Sequence, residues 1–136
     1  MRIVLDTNVL ISSFFWGGPP RRVLDAARAG HIELFTSPDL LAELREVLLR
    51  PKFSDRLKRV GVSVEELVGD YQQLARIVYV RESDIWPVRD PDDMIVLACA
   101  FEANAAAIVS GDLDLLDLES AGGVAILTAA QLLEQL

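Results

Sequence analysis

Four acidic residues far apart along the chain are placed to act together: Asp6, Glu43, Asp93 and Asp112. Asp6 closes an apolar segment, Arg2 to Leu5, that reads as a buried strand. Asp112 follows a second such segment, Ala107 to Val109, in the turn Ser110-Gly111-Asp112. Ligands of open α/β sheets bind beyond the carboxyl ends of the strands, so both carboxylates are expected at one rim. Glu43 belongs to a helix whose apolar face carries Leu40, Leu44, Val47 and Leu48. At roughly 100° per residue it falls at the border of that stripe, where its side chain can point along the rim. Asp93 stands in the first turn of an almost wholly apolar helix, where free amides and the helix dipole favour an anion.

Carboxylates gathered in this way repel one another unless cations intervene, and hard oxygen donors suit Mg²⁺ or Mn²⁺. A metal pair about 4 Å apart lowers the pKa of a bound water, orients it for in-line attack on phosphorus and stabilises the leaving oxygen. Such chemistry needs no His, Cys or Ser nucleophile. The chain has one histidine, His31, and one cysteine, Cys99, so neither a disulfide framework nor a thiolate metal site is available. Cys99 lies in the apolar run Met94 to Phe101 and is expected in the core. Each acid also has an ordinary reading. Asp6, Asp90 and Asp112 can cap helices, Asp92 and Asp93 can complement a helix dipole, and Glu43 can be a solvated helix residue. The joint pattern favours a site.

The elements that must position these acids follow from pattern and punctuation. Val9 to Trp16 reads as a helix broken by Gly17-Gly18-Pro19-Pro20, Arg21 to Ala29 as a second helix, and Ile32 to Phe35 as a strand. Ser37-Pro38 supplies a cap and a first-turn proline for a helix to about Arg50. Pro51 interrupts it and a basic segment follows, before Ser63 and Glu66 form a capping box for a helix to about Arg76. Ile77 to Val80 reads as a strand, Asp90-Pro91 opens the apolar helix to about Glu102, and Val124 to Leu127 is the last strand. Thr128 and Gln131 make a capping box for a C-terminal helix. About five short apolar strands alternating with helices give an α/β domain with a central parallel sheet and helices on both faces.

These motifs carry a resemblance. Ile3-Val4-Leu5-Asp6-Thr7-Asn8-Val9, Leu41-Ala42-Glu43-Leu44, Asp90-Pro91-Asp92-Asp93 with Leu97-Ala98-Cys99-Ala100, and Ser110-Gly111-Asp112-Leu113-Asp114-Leu115-Leu116 together resemble a bacterial or archaeal PIN-domain protein. The likeness runs in order and spacing through essentially the whole chain, making residues 1–136 one PIN-like nuclease domain. It is most similar to the branch of toxins from toxin–antitoxin systems related to VapC. The resemblance implies a sheet ordered 3-2-1-4-5, metal-dependent endoribonuclease activity on single-stranded or structured RNA, and inhibition by a cognate antitoxin. By position, Asp6, Glu43, Asp93 and Asp112 match the catalytic and metal-binding acids. Asp114 is placed to share or replace the role of Asp112, and Thr7, Asn8 and Ser110 are supporting polar groups. Asp90 and Asp92 are near enough to contest the third position, although the spacing of Asp93 to Leu97 and Ala100 fits best.

A net charge of −8 argues at first against a nucleic-acid partner. Six of the thirteen basic residues, however, fall between Arg45 and Arg59, leaving a locally basic face from which Arg45, Arg50 and Lys52 can reach a substrate. Trp16 and Trp86 sit beside Gly or Pro, where burial under a loop or at a subunit contact is expected. A mean hydropathy of +0.30 and many apolar helix faces point to a homodimer, as does the resemblance. No segment reads as a membrane span or a leader, so a cytoplasmic protein is expected. The main competing class is a non-catalytic binding module for RNA or protein. An aspartate-based phosphatase fits poorly, because its motif needs an acid where this chain has Asn8.

Overall fold

Two strands with nearly every side chain buried form the middle of the molecule: β1 (Arg2–Leu5) and β4 (Ala107–Val109). They pair in parallel, Ile3 with Ala107, Val4 with Ile108 and Leu5 with Val109. Side chains alternate between the faces of a strand, and both faces are covered here. Ile3, Leu5, Leu34, Ala107 and Val109 pack with Leu10, Leu24, Leu44, Val68 and Leu132 from helices on one side. Val4, Phe35, Ile108 and Ile126 pack with Val96, Leu97, Cys99 and Ala100 on the other. Burial on both faces explains why these strands read as unbroken apolar runs.

The computed structural model describes residues 1–81 and 91–136; Trp86 and Asp90 fall outside them. In chain order the elements are β1, α1 (Thr7–Phe15), α2 (Pro19–Arg28), β2 (Glu33–Thr36), α3 (Pro38–Leu48) and a 3₁₀ turn (Pro51–Phe53). Then come α4 (Ser54–Val60), α5 (Val64–Leu74), β3 (Arg76–Ile77), α6 (Pro91–Glu102), β4, α7 (Leu113–Leu116), β5 (Ser120–Ala121), β6 (Val124–Leu127) and α8 (Ala129–Glu134). Among the described residues the sheet order is β3-β2-β1-β4-β6-β5. This is the expected α/β architecture and core order, with one strand more than the sequence suggested. The addition, β5, pairs antiparallel with β6 through a hairpin whose turn residues, Gly122 and Gly123, have φ of 56° and 83°. Positive φ at both central positions suits a two-residue hairpin and is readily met by glycine.

Local chemistry sets the helix starts. Ser37 accepts from the Leu40 amide at 3.2 Å ahead of Pro38. Reciprocal capping boxes join Ser63 to Glu66 and Thr128 to Gln131. Helix α1 begins at Thr7, two residues before the expected Val9, because Asp6 caps it. The basic segment after Pro51 is itself helical, closed by Gly61 in the left-handed region (φ 77°). Strand β3 is shorter and earlier than expected, ending at Ile77.

Candidate active site

The chain runs from β1 outward to β2 and β3, then returns to place β4 on the other side of β1. The crevice where strand order reverses in this way is where open α/β sheets bind ligands. At that point Asp6 follows β1 and Ser110 follows β4. The Asp6 amide donates to the Val109 carbonyl at 2.9 Å, continuing the ladder one step beyond Leu5. The Ser110 amide donates to the Leu127 carbonyl at 2.9 Å, tying the same edge to β6.

A short polar relay joins the two acids here. The Ser110 hydroxyl donates to Asp6 Oδ2 at 2.8 Å and accepts from the Asp112 amide at 3.0 Å. Asp6 Oδ1 accepts from the Thr7 amide at 2.8 Å, and Asp112 Oδ1 accepts from the Asp114 amide at 2.9 Å. Both acids are therefore helix caps, of α1 and α7, and both still line a pocket. Capping and site membership, rivals in the sequence, coexist because a carboxylate has more than one acceptor oxygen.

That pocket, about 200 Å³, is lined by Asp6, Asn8, Glu43, Glu46, Val47, Arg50, Asp92, Asp93 and Asp112. The four sequence-selected acids thus converge from β1, α3, α6 and the turn after β4. Asp93 is only 8% exposed, and Glu43 Oε2 is shut off from solvent. Burial pushes the Asp6 carboxyl above its ordinary range. The hydrogen bonds from Ser110 and Thr7 oppose that rise, and the nearby charges of Asp112 and Asp92 add to it. A larger hollow, about 440 Å³, shares Asn8 and Asp112 and has walls from Val9, Pro19, Pro20, Ala129 and Ala130.

Other selected residues are placed differently. Asp114 is exposed on α7 and does not line the acidic pocket. Thr7 is buried and serves through its amide. Of the three basic candidates, Arg50 lines the pocket. Arg45 instead pairs with Glu65 at 3.0 Å, and Lys52 lies over the Phe53 ring. Asp92, a rival to Asp93 in the sequence, also lines the pocket, as does Glu46, to which the sequence reading assigned no place. Glu46 and Arg50 follow Glu43 by three and seven residues, a helical spacing that could have found both.

Among the described residues no three His, Cys, Asp or Glu side chains stand ready, as placed, to hold one metal ion. The donor chemistry nevertheless fits one. The acids present only hard oxygens, and their mutual repulsion, registered at Asp6, is what a divalent cation would relieve.

Comparison with known proteins agrees with this fold. A family model described as PIN domain matches residues 2–114. The chain belongs to the PIN-domain family. The matched span holds every acid of the pocket. In fold, this PIN domain is similar to a chain of VapBC2 from Rickettsia felis, solved bound to a DNA fragment from its promoter. The TM-score is 0.65, over 94% of this chain and 98% of that one, at 12% identity. Such identity speaks for the fold alone. No curated protein matches the sequence of this PIN domain. Among its described residues no helix is long and apolar enough to cross a membrane.

Proposed function

We propose that residues 1–136 form one metal-dependent endoribonuclease domain, the toxin of a toxin–antitoxin pair, with Asp6, Glu43, Asp93 and Asp112 as its metal-binding and catalytic acids. The observation that carries this reading is the convergence of those acids in one pocket at the reversal of strand order. A phosphodiester is the substrate class that suits it, since among the described residues the pocket holds no histidine or cysteine to act as nucleophile or base. Bound Mg²⁺ or Mn²⁺ would supply an activated water and stabilise the leaving oxygen.

The chain's own groups have separable tasks. Ser110 and the Thr7 amide fix the Asp6 carboxylate and offset part of its burial cost. Asp93, on a helix seated in the core, is held against displacement. Arg50 supplies positive charge at the pocket for a non-bridging phosphate oxygen, and the exposed Asn8 amide can donate to a ribose or phosphate group. Asp114 lies beyond the working set. An antitoxin partner is supported by the fold shared with a chain of the VapBC2 complex. The antitoxin would cover the acidic pocket or the basic face beside it. The active form is a homodimer in the cytoplasm.

The test is single-turnover cleavage of a labelled single-stranded RNA while Mg²⁺ or Mn²⁺ is titrated. Cuts should require the metal, cease with chelator, and disappear in Asp6→Asn and Asp93→Asn. RNA binding without cleavage under every ion would instead make the chain a non-catalytic binding module.

A further inference from the structure

The most unusual surface outside the acidic pocket is built from two aromatic pairs and two cations. Trp16, the C-cap of α1, is 45% exposed, so among the described residues no loop buries it. Its ring meets Phe15 edge-on at 5.9 Å, and the Arg56 guanidinium lies over it at 4.2 Å. Phe15 in turn stacks on Phe53 at 5.4 Å with an 11° interplanar angle, and Lys52 Nζ lies 5.0 Å over Phe53. The indole is therefore exposed yet held from below and from the side.

The strip continues to the acidic pocket without a break in the chain. Arg50 lines that pocket, the 3₁₀ turn Pro51–Phe53 follows it, and α4 begins at Ser54. Between Arg50 and Val60 stand five basic residues, Arg50, Lys52, Arg56, Lys58 and Arg59, against one acid, Asp55. All five are exposed. Among the described residues, ion pairs are made by Arg21, Arg28, Arg45, Arg76 and Arg81 and by none of these five. In a chain of net charge −8, such a local excess is a place for phosphates.

We propose that single-stranded RNA runs from the acidic pocket along Arg50, Lys52 and Arg56, and that one of its bases stacks on Trp16. This deepens the nuclease reading and rests on it. Aromatic platforms flanked by cations are the usual means of holding a strand without reading its sequence. Helix α1, between caps Asp6 and Trp16, is ~15 Å long at 1.5 Å per residue. A mononucleotide in the pocket cannot span that length, but a short oligonucleotide can. Charge complementarity and continuity with a pocket suited to phosphodiesters favour RNA over a protein partner on this face.

The experiment is equilibrium binding of a short fluorescent oligouridylate in chelator, so that cleavage does not intervene, with RNA cleavage in Mg²⁺ or Mn²⁺ measured in parallel. Trp16→Ala should weaken binding about tenfold, and Trp16→Phe should recover most of that loss, which a merely structural role would not predict. Arg56→Ala should lower the slope of log affinity against log salt by about 0.7, the value for one phosphate on a single strand. In a Trp86→Phe background, RNA should quench the fluorescence of Trp16. If wild type cleaves RNA and Trp16→Ala binds it equally well, the strip is not the path, while the nuclease reading stands. If Trp16→Ala instead changes only the oligomeric mass, the face is a protein interface and the proposal is overturned. If wild type neither binds nor cleaves RNA, both readings fall.

Discussion

The acidic pocket and the basic strip meet at Arg50 and are opposite in construction. The pocket holds like charges at the ends of strands and buried helices. Its side chains are pinned by backbone amides and the Ser110 hydroxyl, and burial drives Asp6 toward protonation. The strip holds cations on long stems above aromatic rings, exposed to solvent. On the proposed reading, groups that must meet a reacting atom are fixed by the sheet at a cost in stability. On the same reading, groups that need only attract a polyanion are left on a short surface helix, where solvation keeps that cost small.

The contrast can be sharpened first at the acids. Asp93→Asn and Asp6→Asn should lower single-turnover cleavage on the order of 100-fold or more, with circular dichroism unchanged. Next comes the relay. Ser110→Ala removes the donor to Asp6 and the acceptor for the Asp112 amide in a residue only 1% exposed. Urea denaturation should show a loss of about 1–3 kcal/mol, with a smaller fall in cleavage than the acid variants give.

A third prediction concerns pH in the metal-free protein. Asp6 is raised above its ordinary value of 3.8, mainly by burial, so the folded chain binds more protons than the unfolded chain in the window between the two values. Stability therefore falls as pH rises through that window and stays lower above it. Asp6→Asn should flatten this part of the stability profile, and a profile identical to wild type would remove the proposed cost. The smallest effect is expected at Arg45, whose exposed pair with Glu65 should contribute less than about 1 kcal/mol. Arg45→Ala should move RNA affinity less than Arg56→Ala does, and equal effects would erase the distinction between the strip and the rest of the basic face.

What could be read in advance was what depends on neighbours in sequence. Ser37 before Pro38, the two capping boxes, and the apolar runs of β4 and β6 carry their structure within a few residues. So does the placement of Asp6 and Asp112 just beyond strands, because strand ends are visible as the end of an apolar run. The surroundings of Trp16 were not legible, because Arg56, which lies over its ring, is forty positions away. The two-residue β5 exists only through its pairing with β6, and its one local signal was the Gly122-Gly123 turn. Asp92 was ranked behind Asp93 because the spacing of Asp93 to Leu97 and Ala100 fits the resemblance best, whereas the first turn of α6 offers both to the pocket.

The family match stops at residue 114, yet β6 beyond it supplies the carbonyl that accepts from Ser110 and the partner for every residue of β4. A polypeptide truncated there would retain each carboxylate and lose its neighbour in the sheet. The unsatisfied flank of β4 would then be a sticky seam, open to a strand from another molecule. Such a fragment would be expected to aggregate before it could hydrolyse anything.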